Sequence, residues 1–196
     1  VDFSAPFTVN NNLTISTGTA SITGTTANYT VTNDVVISAS GTLINTVDYA
    51  ATSRTFNVGG SWTNNQGVFT PGTGMVNFNT VTANENINGS STSQSFYHVT
   101  VNKSGRLLTV GGSTATLNIG GTVTLTAGTL DAGTATTINM NGGDWVNNGG
   151  TFTPGNRWWG FPEQSTMQII KAGRIRRQGN SVASLRYWDD YSVEEI

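Results

Sequence analysis

The sequence predicts an all-β chain wound as a right-handed parallel β-helix, followed by a distinct C-terminal segment. Three observations predict it. Short runs of alternating apolar and polar residues recur along most of the 196 residues, punctuated by Gly and Asn. Glycine pairs at 111–112, 120–121 and 142–143 follow such runs, and the step from 120 to 142 is the length of one β-helical coil. A thirteen-residue phrase occurs twice, as GGSWTNNQGVFTP at 59–71 and GGDWVNNGGTFTP at 142–154.

From the N-terminus, LTIS (13–16), YTVT (29–32), VVIS (35–38), FNV (56–58) and VNFN (76–79) read as strands. So do YHVTV (97–101), LLTV (107–110), TLNI (116–119), TVTL (122–125) and TINM (137–140). One coil cannot bury its own apolar side, but stacked coils can. Leu, Ile, Val and Phe are therefore expected inside, Thr and Ser outside, and the Asn pairs at bends, where their amides bond to backbone. The interval from Gly59 to Gly142, between the starts of the two phrases, is close to four coils, so the copies are expected at equivalent levels of the stack. A β-sandwich built from antiparallel hairpins is the alternative, because short strands and glycine turns suit it too.

Charge marks a boundary. Up to Asn156 there are three basic residues (Arg54, Lys103, Arg106) and six acidic ones; from Arg157 there are six basic and five acidic. This divides the chain into a β-solenoid, 1–156, and a C-terminal cap or subunit-contact segment, 157–196. Within the latter, Met167–Ile170 and Arg174–Arg176 read as two strands joined through Ala172 and Gly173. A solenoid end exposes unpaired backbone groups, so a cap or a neighbouring subunit is expected there. The N-terminal run FTVNNNLTI is a second candidate for strand addition.

The stretch from GGSWTNNQGVFTPGTGMVNFN through SFYHVTVNKSG to TVTLTAGTL resembles repeats of large bacterial secreted and cell-surface β-helical proteins, adhesin-like or surface-layer-like. The resemblance covers roughly residues 56–155. It rests on a glycine pair, a Trp, an Asn pair and Phe-Thr-Pro-Gly, followed by Phe96, Tyr97, Val99 and Val101 and then by Gly128, Thr129 and Leu130. It implies a β-helix without catalytic assignment. The second copy departs after Gly155, where Arg157-Trp158-Trp159-Gly160-Phe161 replaces the expected strand.

Chemistry is sparse. With no Cys, a disulfide scaffold and a cysteine–zinc site are excluded, and the single His98 provides no metal cluster. No GxSxG or phosphate-binding loop is present. Paired carboxylates are the best route to a polysaccharide-cleaving site. Asp34 and Asp48, and Asp131 and Asp144, are not one coil apart, so no enzyme, cofactor or metal is expected; Asp34 and Asp48 are the pair to test. The net charge of −2 argues against nucleic acid. No apolar run reaches the length of a membrane helix, so no membrane insertion is expected. The opening VDFSAPFTV carries no recognisable signal peptide.

The expected function is structural: a secreted or cell-surface protein that self-associates into a fibre or forms part of a rigid stalk. About seven coils would span on the order of 34 Å. The alternative is a carbohydrate-binding or host-surface adhesion module, including a phage tail fibre or spike. Candidate binding or subunit-contact residues are Trp62, Trp145, Trp158, Trp159, Phe161, Arg174, Arg176 and Trp188. Exposed Trp would stack on sugar rings; buried Trp would not.

Overall fold

The computed structural model describes residues 1–24, 28–46, 48–49 and 54–154, and the strand backbones at 168–171 and 175–177. It is nearly all-β, with parallel strands stacked as a β-solenoid of about six turns. Its strands fall on three faces, and each turn visits the faces in the same order.

The first face carries β2 (Thr8–Val9), β4 (Tyr29–Val31), β6 (Thr55–Val58) and β9 (Met75–Phe78). It continues through the starts of β12 (His98–Val110) and β14 (Val123–Asp131), then β16 (Trp145–Asn147) and β19 (Ile175–Arg177). The second face carries the starts of β3 (Leu13–Ile22) and β5 (Val35–Asn45), then β7 (Trp62–Asn64) and β10 (Glu85–Asn88). The ends of β12 and β14, and β17 (Thr151–Thr153), complete it. The third face holds β1 (Asp2–Phe3), the ends of β3 and β5, and β8 (Val68–Thr70). A second ladder on this face runs through β11 (Ser93–Phe96), β13 (Thr116–Ile119), β15 (Thr137–Met140) and β18 (Gln168–Lys171).

Period-two sequence produces this directly. In β13, Leu117 and Ile119 are buried while Thr116 and Asn118 face outward; in β4, Tyr29 and Val31 are buried around Thr30. Register then stacks like on like. Leu117 lies against Ile138, and Val99 lies between Val76 and Val123. Each fully buried aliphatic or aromatic side chain contributes roughly 1.5–3 kcal/mol. A one-residue slip would turn a whole strand's apolar set outward, so the alternation fixes the register.

The step between turns is uneven. It is short where Thr55 pairs with Met75 and distinctly longer where Val35 pairs with Trp62. Longer steps are taken up at corners. Shorter corners pass through a glycine inside a continuous strand, as at Gly18 and Gly105, whose positive φ values of 71° and 69° favour a residue without Cβ.

The two copies of the phrase do not lie at equivalent levels. Trp62 opens β7 on the second face, in the column of Leu13, Val35 and Ile87. Trp145 opens β16 on the first face, in the column of Val76, Val99 and Val123. The phrase therefore turns from second to third face in one copy and from first to second in the other. What repeats is the corner. In each copy Trp packs edge-on against the Phe seven positions later, at 4.6 Å for Trp62–Phe69 and 4.9 Å for Trp145–Phe152. In each, the second Asn donates its backbone N–H to the turn before: Asn65 to Ile37 and Asn148 to Leu125, both at 2.8 Å.

The strand pairing continues beyond residue 156. The backbone of β18 pairs with β15 and that of β19 with β16, both parallel. These strands match the two runs expected at 167–170 and 174–176 to within a residue.

Candidate functional site

The predicted contact residues separate into two groups. Trp62 is 0% exposed and Trp145 3% exposed. Trp62 touches Phe56, Phe69 and Phe96 at ring separations of 6.2, 4.6 and 5.2 Å. Neither indole offers a face to a sugar, so these two residues are core and cannot serve as stacking platforms. Trp158, Trp159, Phe161, Arg174 and Trp188 lie outside the described residues. Arg176 lies on β19, opposite Val146.

Of the two carboxylates proposed for testing, Asp34 is used by a corner. Asp34 accepts the Ser61 N–H at 2.8 Å, one turn on, and the Asp34 N–H donates to Asn12 Oδ1 at 3.2 Å, one turn back. Ser61 Oγ donates to Glu85 at 2.7 Å and accepts the Asn86 N–H at 3.0 Å. Asn12, Asp34, Ser61 and Glu85 thus form a polar ladder along the corner between the first and second faces. Asp131 accepts the Gly133 N–H at 2.9 Å. Among the described residues no three His, Cys, Asp or Glu side chains come together.

Two features stand out beyond those read from the sequence. The first is the corner at Tyr97 and His98. The His98 ring lies 4.7 Å from that of Tyr97 and 5.4 Å from that of Tyr49. His98 Nδ1 accepts the Thr122 N–H of the following turn at 2.9 Å. Gly120 and Gly121 make this possible: a Cβ on Gly121 would stand 2.7 Å from the imidazole, and one on Gly120 2.8 Å from the Tyr97 ring. Burial pulls His98 below the ordinary imidazole range, and Asp48 acts in the opposite sense.

The second is Lys103, 1% exposed, at the corner where β12 shifts register against β14. Its Nζ donates to the Thr80 carbonyl at 3.3 Å. Burial pushes its pKa down to about 8; Glu85 opposes the shift and Arg106 adds to it. A usable signal for the first feature is in the sequence: an aromatic pair and a glycine pair, 97–98 and 120–121, one coil apart. For Lys103 the signal is only its alternation with Val99 and Val101, and a charge at an inward position ordinarily reads as a break in that pattern.

Comparison with known protein families, curated proteins and solved structures gave no match for this chain.

Proposed function

We propose that the chain is a structural element of a secreted or cell-surface protein, acting as a stiff rod segment that associates end to end with further copies. The observation that carries this reading is the three-faced parallel stack, in which side chains of one turn bond to the backbone of the next. Such a stack transmits force along its axis and can be extended by adding turns. Its first turn leaves the outer edge of β3 at Leu13–Ile15 without a strand partner among the described residues, and parallel strand addition suits such an edge. Phe3, Phe7, Val9 and Leu13, all only partly buried, surround that end. The segment 157–196 is the second assembly element, as cap or as contact.

Electron microscopy of the full chain across a concentration series, beside a 1–156 form, tests this. Fibres that lengthen with concentration and vanish on deletion support assembly through the C-terminal segment. Fibres that persist in the 1–156 form assign it to the N-terminal end. Discrete particles throughout overturn self-assembly and favour a carbohydrate-binding or host-surface adhesion module.

A further inference from the structure

We propose that His98 is an acid-sensitive latch in the stack: its protonation removes the acceptor for the Thr122 N–H and opens the step between the corners at 97–98 and 121–122.

At this corner the Gly121 N–H bonds to the Tyr97 carbonyl at 2.8 Å, and the Val99 N–H bonds to the Thr122 carbonyl at 2.9 Å. Between these two backbone bonds the ladder hands one donor, the Thr122 N–H, to a side chain. Nδ1 accepts only while it carries no proton. Once it is protonated, two N–H groups face each other, and a half-buried amide loses its partner. Relaxation by ring rotation is restricted. Gly121 lies against one side of the imidazole, and the Tyr97 and Tyr49 rings pack around it. The titratable groups facing the ring among the described residues are Asp48, Tyr49 and Tyr97. Met75, its strand neighbour on β9, adds no charge. Asp48 draws the proton toward the ring, while burial resists it.

A base whose folded pKa lies below its unfolded value takes up its proton first in the unfolded chain. The contribution of this corner is therefore complete above the ordinary imidazole value of about 6.5 and is lost as pH falls below it. His98 is the chain's single histidine, so its titration can be followed without ambiguity.

The test is amide hydrogen exchange by nuclear magnetic resonance from pH 7.5 to 5, expressed as protection relative to the intrinsic rate. The Thr122 amide is expected to lose protection tenfold or more while Leu125, in the strand that follows it, holds. In His98→Asn the side-chain oxygen replaces Nδ1 without titrating, so protection of Thr122 is expected to persist to pH 5. Thr122 protection that parallels Leu125 in the wild type overturns the proposal, as does an identical acid loss in His98→Asn. Should that variant fail to fold, the wild type still decides. A His98 ring titration whose midpoint matches the Thr122 loss supports the latch, and a midpoint that does not match overturns it.

Discussion

Lys103 shows how much a single side chain in this stack depends on the turns around it. Its ammonium is taken from water and given the Thr80 carbonyl, with Glu85 near enough to be felt. The pKa pushed down to about 8 means that the folded chain releases this proton well before the unfolded chain, which holds it to about 10.4. Between those values the unfolded chain binds more protons, so this group makes stability rise with pH. A shift of this size is worth on the order of 1–3 kcal/mol across those values. Urea denaturation of the wild type against Lys103→Met, at pH 7.5 and pH 10, is expected to show the wild type gaining by that amount relative to the variant. Equal pH dependence in the two would refute the assignment. In sequence Lys103 is one of three scattered cations before residue 156. Alternation within β12 does place it inward with Val99 and Val101, but a charge at an inward position ordinarily reads as a break in the pattern.

The repeated corner is the element that the sequence writes most clearly and locates least well. Its parts are legible: Trp and Phe seven apart, an Asn pair, and a glycine before the second strand. Their purposes differ. Gly67 and Gly150 are spaces for the preceding turn. A Cβ on Gly67 would collide with Ile37 Cγ2 and the Ser38 carbonyl, and one on Gly150 would lie 2.8 Å from Leu125 Cβ. The position before them needs positive φ, 68° at Gln66 and 128° at Gly149. Gln66 bears that strain, and its N–H is held by Ser91 Oγ at 2.9 Å. Gly67→Ala is therefore expected to cost about 1–3 kcal/mol by overpacking. Gln66→Gly is expected to be neutral or to stabilise by up to about 1 kcal/mol, since relief of the left-handed conformation offsets added chain entropy. Thermal unfolding of both variants checks the contrast, and equal destabilisation would contradict this account of the corner. The strands themselves are legible because inside and outside alternate within four residues. The level of each corner is not. The interval from Gly59 to Gly142 suggests four equal coils. The steps are unequal, short from Thr55 to Met75 and long from Val35 to Trp62, and they carry the second copy onto a different face.

At the scale of the whole molecule, the interior changes character along the axis. Phe56, Trp62 and Phe69 come from the three faces of one turn, and Phe78 and Phe96 from the next. Their ring separations of 4.6 to 6.3 Å join them into a disc across the solenoid. Beyond it the core is chiefly aliphatic up to Trp145 and Phe152, and a small apolar void is lined by Val99, Leu117, Val123 and Ile138, with Phe96 and Trp145 also on its wall. At the N-terminal end a smaller stack, Phe3 on Phe7 at 4.6 Å and Phe7 on Tyr29 at 5.2 Å, covers the first turns. This distribution explains why Trp62 and Trp145 read as surface candidates in the sequence and are core in the structure. Tryptophan in a Thr- and Asn-rich chain resembles a binding residue, and only the closed cross-section reveals that five rings are needed to fill it. In a stack where each turn touches only its neighbours, the two aromatic groups must differ in reach. Trp62→Leu opens the disc in mid-stack and is expected to cost about 3–5 kcal/mol, with amide protection falling together in β5 and β13, on opposite sides of it. Phe7→Leu is expected to release β2 and β4 while β13 keeps its protection. Hydrogen exchange of both variants measures this directly. If Trp62→Leu loosened β5 and left β13 unchanged, the disc would be a local packing detail and the stack would consist of independently stable halves.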